Sequence, residues 1–268
     1  MVPAEFAGNP RTAPAFDLGR QALEIVLESP LLDKTSASQR LYAFYRTLLT
    51  RELSDRFGTD GVLKQGLYGA PSYARITSLL GRPWRRTPAP SAAHTCWLYW
   101  NAEGRGGTLN GRPLVKVYLS PSLDDLEQCI HAALPIIGKS KALAVKMPGS
   151  VRDLVRPERL VVYFYGWDDL VETLHALRPI LGGLRPHGVP FGGIVPGYPL
   201  IAVGRDRTDA DRSSWRKWLC SVIATAAVTE LPGAARQAAV TAALDKAQVR
   251  SDIWHEHDWP TAELTEVA

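Results

Sequence analysis

Apolar residues recur at helical spacing in two stretches near the start of the chain. Leu18, Ala22, Ile25 and Val26 form a stripe over 17–28 that Pro30 closes. Leu41, Phe44, Tyr45, Leu48, Leu49 and Leu53 form a second stripe over 38–56, for which Ser38 is a natural cap. Residues 58–92 lose this periodicity and are rich in Gly and Pro, with a short helix expected near 72–80. From residue 94 the period shortens. His94–Trp100 and Leu114–Leu119 read as strands joined through a glycine-bearing hairpin loop at 104–111. A helix is expected from Ser122 to about 134, with Asp124 and Asp125 in its first turn, where the helix dipole favours acids. Strands follow at 141–147 and 159–165, with a short helix or turn at 150–156 between them. A helix at 168–181, a Gly/Pro-rich loop at 185–198, a strand at 200–203 and helices at 211–229 and 232–247 complete the pattern.

Helices, then strands interleaved with helices, then helices again predict an α+β fold. Its sheet is mixed or antiparallel, flanked by helices, with a helical N-terminal region. The chain divides into a loose Pro/Ala-rich arm (1–16), a helical region (17–92), an α+β catalytic region (93–250) and an acidic tail (251–268).

Side chains alternate between the two faces of a strand. Lys116 and Tyr118 share a face with Leu114, opposite Val115, Val117 and Leu119. Arg159, Val161, Tyr163 and Tyr165 share a face, opposite Leu160, Val162 and Phe164. Lys146 lies with Ala142 and Ala144. In matching register, one face of the sheet buries a core and the other gathers Lys116, Tyr118, Lys146, Arg159, Tyr163 and Tyr165. Arg152 and Arg156 would overhang it from the segment before the last of these strands. The alternation alone is equally that of a half-buried sheet whose polar face meets water.

The 46% hydrophobic and 22% charged residues exclude a disordered chain. No apolar run reaches the roughly 18 residues of a membrane span, and no basic-then-apolar secretory pattern opens the sequence. Cys96, Cys129 and Cys220 are too few for a disulfide framework, and no CxxC pair suits zinc. A reducing cytoplasm is therefore expected. His255 and His257 beside Glu256 and Asp258 lack further ligands for a metal, so none is expected. His187, in the Gly/Pro loop, is a candidate to line the cleft, and Trp97 and Trp100 fall on opposite strand faces, so one of them is a candidate groove wall.

The charge is uneven. Residues 251–268 carry five acids and no Lys or Arg, whereas Lys139, Lys141, Lys146, Arg152, Arg156 and Arg159 crowd 139–159 against only Asp153 and Glu158. That cluster attracts an anion. Nucleic acid is not the expected one, because no helix-turn-helix, zinc-finger or aromatic RNA-binding signature is present. No HExxH, GxSxG or Walker motif is present either. A lysine among cations has a lowered pKa and serves as a general base, and arginines beside it hold phosphate. Base and phosphate clamp together suit abstraction of a proton next to a phosphorylated carbon, giving an alkene and free phosphate without a cofactor.

At these residues, from VKVYLSPSLDDL through KALAVKMPGSVRDLVRPERLVVYFYGW to LRPHGVPFGGIVPGYPLIAVG, the chain resembles the Hop A-type effector-like family. Relatives of that family act as lyases in class V lanthipeptide and thioamitide biosynthesis. The resemblance spans roughly 38–229 and is best over 112–205. It implies elimination of phosphate from phosphoserine or phosphothreonine of a ribosomal precursor peptide, to dehydroalanine or dehydrobutyrine, with a separate Ser/Thr kinase as partner. Carried over by position, Lys146 removes the α-proton, Lys116 contacts phosphate, and Arg152 and Tyr163 bind phosphate or the substrate carbonyl. Arg205 corresponds to a later family arginine. Tyr118 is the second catalytic candidate: it stands where more distant phosphothreonine lyases have a histidine acid, and either it serves as the acid or phosphate leaves without one. That departure keeps open a non-catalytic peptide-binding or kinase-partner module; an effector acting on a host protein is a further alternative.

Overall fold

The computed structural model describes residues 15–29, 33–59, 62–63, 72–88, 97–105, 114–207, 213–228 and 233–260. Among them lie the helices α1 (Ala15–Glu28), α2 (Lys34–Ala43), α3 (Arg51–Phe57), α4 (Ser72–Leu80), α5 (Leu126–Lys139), α6 (Val151–Leu154), α7 (Trp167–Leu181), α8 (Trp215–Ala227) and α9 (Gly233–Lys246). The strands are β1 (Gly58–Thr59), β2 (Val62–Leu63), β3 (Trp84–Thr87), β4 (Trp97–Ala102), β5 (Val115–Leu119), β6 (Ala144–Pro148), β7 (Leu160–Phe164), β8 (Gly193–Ile194), β9 (Ile201–Arg205), β10 (Val249–Arg250) and β11 (His255–Glu256). Seven of them form one antiparallel sheet in the order β3-β4-β6-β7-β5-β9-β8. The fold is α+β with a helical N-terminal region, as the periodicities predict.

The sheet's apolar face carries the core. Val115, Val117, Leu119, Val145, Met147, Leu160, Val162 and Phe164 are all buried in one cluster with α5 and α7. Burying side chains of this size is worth about 1.5–3 kcal/mol each. Helix α5 can approach α4 closely because residue 138 is glycine. A Cβ there would stand 2.0 Å from the Leu80 carbonyl oxygen.

Three expectations differ. The helix expected over 38–56 is two helices. Asp33, not Ser38, caps α2, its carboxylate accepting from the Thr35 and Ser36 N–H groups at 2.9 and 3.0 Å. The helix ends at Ala43, Tyr45 turns to a φ of 62°, and Thr50 caps α3. Leu48 and Leu49 of the expected stripe are exposed as a result.

The hairpin between the strands at 94–100 and 114–119 does not form. β5, buried at all five positions, lies inside the sheet between β7 and β9, with two strands (β6 and β7) between it and β4. The intervening dozen residues reach easily across the roughly 15 Å that three strand spacings require.

The acidic stretch beyond 250 is packed through residue 260. Trp254 and Trp259 join the core, and β11 pairs with β10. The arm 1–14, His94, Cys96, most of the 104–111 loop and residues 261–268 lie outside the described residues.

Candidate active site

The polar face of the central strands is the candidate site. Register places Lys116 opposite both Tyr163 and Gly204, Tyr118 opposite Val161 and Ala202, and Lys146 opposite Tyr99 and Val161. Lys116, Tyr118, Lys146 and Tyr163 thus share one face, as the alternation predicts. Trp97, two residues before Tyr99 on β4, shares it too, while Trp100 is buried on the core side.

Lys146 is half-buried. Its Nζ stands 4.1 Å from the centroid of the Trp97 ring. Among the described residues no carboxylate lies within ion-pair distance of it. Burial first, and the charge of Lys116 second, lower its pKa from 10.5 to about 8. Sequence reasoning had only the neighbouring cation; burial is the larger cause.

Lys116 is 4% exposed and ion-paired with Asp206, and its Nζ is 5.2 Å from the Tyr163 ring centroid. Arg156 is half-buried, pairs with Asp153 at 3.1 Å, and sets its guanidinium 5.5 Å from the Trp97 ring that also faces Lys146. Tyr163 and Tyr118 both keep their protons, burial pushing each phenol well above its ordinary value. Tyr118 is nearly enclosed, packed with Val161, Val189 and Ala202. Its ring lies against Gly204, where a Cβ would come within 3.1 Å of the phenol oxygen.

The other expected residues are placed differently. Arg152 is exposed on α6, and the charges that bear most on Lys146 are those of Lys116, Glu158, Arg156 and Asp206. Arg205 pairs in register with Val115, so it points to the opposite side from Lys116, and its guanidinium is bound to Glu256 and Asp258. The structure does not bring it to the cleft. Arg159 is buried and donates to the Pro121 carbonyl and to Thr47 Oγ1, the latter at 3.0 Å. His187 is half-buried, its pKa lowered to about 3 first by desolvation and then by the Arg159 charge, and its ring nitrogen is bonded to the Tyr45 carbonyl at 2.9 Å. Arg159 and His187 therefore fasten the segment 44–50 rather than face a ligand.

Sequence reasoning missed Asp206 and Arg216. It counted Glu158 only as a charge. Glu158 is buried in an ion pair with Arg216, which also donates to the carbonyls of Pro190 at 2.6 Å and Tyr42 at 3.3 Å. Burial alone would raise the Glu158 carboxyl, but Arg216 brings it below its ordinary value. Cys129 and Cys220 are buried with thiols pushed up to about 12, which disfavours a thiolate nucleophile at either. Among the described residues no group of His, Cys, Asp or Glu is arranged to hold a metal, and no helix is long and apolar enough to cross a membrane.

No protein-family model matches the chain, and no curated protein matches it. Solved structures do. The effector protein from Pseudomonas syringae pv. tomato strain DC3000 superposes with a TM-score of 0.53 at 11% identity, over 90% of this chain and 98% of that one. The effector protein from Pseudomonas syringae pv. syringae strain 61 gives 0.51 at 10% identity, over 90% and 97%. At these identities the likeness is one of fold. The type III effector/phosphothreonine lyase OspF from Shigella flexneri also matches, at 0.38 and 9% identity over 70% and 87% of the two chains, too loosely to carry an argument.

Proposed function

We propose that the protein is a lyase that eliminates phosphate from phosphoserine or phosphothreonine in a peptide, leaving dehydroalanine or dehydrobutyrine. The observation that carries this reading is Lys146: an amine without a carboxylate partner among the described residues, its pKa near 8, on the same face as Lys116 and Tyr163. The neutral amine takes the α-proton. The electrons of that C–H bond form the Cα–Cβ double bond, the Cβ–O bond breaks, and phosphate leaves with its electron pair. Lys116 and Arg156 stabilise the departing charge, and the Tyr163 phenol donates to the substrate carbonyl as negative charge develops there. The sequence resemblance supports a ribosomal precursor peptide as substrate and a Ser/Thr kinase as the partner that phosphorylates it, and the few scattered cysteines support a reducing, cytoplasmic setting.

Tyr118 has a smaller part. A buried phenol with a raised pKa is a poor acid, and phosphate leaves without one. Tyr118→Phe is therefore expected to lower kcat by less than about tenfold, below the roughly hundredfold at the bottom of the usual general-acid contribution. A loss as large as that from removing Lys146 would make Tyr118 the proton donor after all.

The deciding experiment is mass spectrometry of a phosphorylated peptide incubated with the purified protein. Loss of phosphoric acid, with an alkene that adds a thiol, is the expected result. A peptide that binds and stays unchanged, with and without the kinase, overturns the lyase in favour of a peptide-binding module. The burial of Tyr118, where a histidine acid stands in distant relatives, is what favours that second reading.

A further inference from the structure

The cations around the cleft are nearly all neutralised by acids. Lys116 is paired with Asp206, Arg216 with Glu158 and Arg156 with Asp153. Lys146 cannot act as a neutral base and also offer a positive charge. A phosphate dianion entering the cleft needs a cation that no carboxylate already compensates.

Arg46 meets that need. It lies in the segment 44–50 between two pinned residues. The Tyr45 carbonyl meets the His187 ring nitrogen at 2.9 Å, and the two rings pack at a 30° tilt, 4.6 Å between centroids. The Thr47 N–H donates to the Val155 carbonyl at 2.8 Å, and Arg159 donates to the Thr47 hydroxyl at 3.0 Å. The bond to Val155 sets Arg46 beside Arg156, whose guanidinium shares the Trp97 ring with Lys146. Tyr45 holds a left-handed φ of 62°, a conformation a non-glycine residue keeps only when its surroundings fix it. The Arg46 side chain is exposed, with no carboxylate in ion-pair range among the described residues. Burial of its inner part and the charge of Arg156 both lower its pKa, as befits a cation set among cations.

We infer that Arg46, carried to the mouth of the cleft by this pinned segment, binds the phosphate of the substrate's phosphoserine or phosphothreonine. The inference rests on the proposed lyase for the identity of the anion. A planar guanidinium suits phosphate, and a charge-assisted pair of this kind is worth about tenfold or more in affinity.

The test compares wild type, Arg46→Gln, Arg46→Lys and the control Arg40→Gln, which removes an equal charge from the exposed end of α2. Two readouts are taken: KM and kcat for a phosphoserine peptide, and the affinity for inorganic phosphate by calorimetry, which needs no turnover. Arg46→Gln should raise KM and weaken phosphate binding about tenfold, Arg46→Lys should fall between, and Arg40→Gln should match wild type. If wild type eliminates phosphate and Arg46→Gln leaves KM and phosphate affinity unchanged, the inference is wrong and the lyase stands. If wild type makes no alkene yet binds phosphate in an Arg46-dependent way, the lyase is wrong and the anion contact stands. Absence of phosphate binding in wild type overturns the inference.

Discussion

Replacing Lys146 with methionine abolishes elimination and makes the protein more stable. A positioned general base contributes roughly 10²–10⁴-fold, so turnover falls by about that factor. The gain in stability has a separate cause. The amine's pKa is lowered from 10.5 to about 8, so folding at neutral pH works against a charge that prefers water. Discounted for the amine's remaining exposure, that opposition is about 2 kcal/mol, and an unbranched apolar side chain against Trp97 removes it. The expected result is a Tm higher by a few degrees at pH 7.

The sign is fixed by linkage. Below about pH 8 both folded and unfolded chains carry the lysine proton and the cost is full. Between about 8 and 10.5 the unfolded chain binds more protons, so the stability of wild type rises with pH. The methionine variant lacks that increment. The same titration governs catalysis: kcat/KM of wild type rises with pH and levels off above about 8, where the amine is neutral. Lys146→Arg stays charged and should be as inactive as methionine, whereas a peptide-binding module would tolerate it. Wild-type turnover in either variant would remove Lys146 from the mechanism.

The face of the site was legible because a period of two maps directly onto geometry. Lys116, Tyr118 and Tyr163 needed only counting along each strand, and Lys146 needed only the neighbouring strand to be in register. What was not legible is the order of strands. β5 reads as the partner of β4 from the glycines between them, yet β5 is an interior strand that pairs with β7 and β9. That pairing brings Asp206 to Lys116, because Gly204 is the register partner of Lys116 and Asp206 follows it by two. A carboxylate 90 residues from its lysine leaves no local trace. Arg205 was misplaced by the same gap. Its neighbours in sequence belong to the site strand, but its parity sends it to the other side. Arg46 was hidden differently. Its apolar neighbours continue a helical stripe on paper, and only the actual end of α2 at Ala43 turns that stretch into a pinned segment.

The second large effect is expected at the buried pair Glu158–Arg216. Both side chains are nearly inaccessible, and Arg216 ties β7's approach to α8, the Pro190 carbonyl and the Tyr42 carbonyl. Arg216→Met leaves a buried carboxylate and two main-chain oxygens without their donor, at a cost of about 3–5 kcal/mol. Denaturant unfolding should show this as a lower midpoint at unchanged m-value. Glu158→Gln is expected to cost less, since an amide still accepts from the guanidinium, and the double variant Glu158→Gln/Arg216→Met should cost less than the two single changes together. Activity separates the partners further. Glu158 is one of the carboxylates that raise the Lys146 pKa, so its neutralisation lowers that pKa further and enlarges the neutral fraction of the base at pH 7. The rise of kcat/KM in Glu158→Gln should move to lower pH. In Arg216→Met, so far as Glu158 keeps its charge without a guanidinium to share it, the rise should move to higher pH. Shifts in the same direction, or none, would mean that the pair holds the fold alone and does not set the charge state of the base.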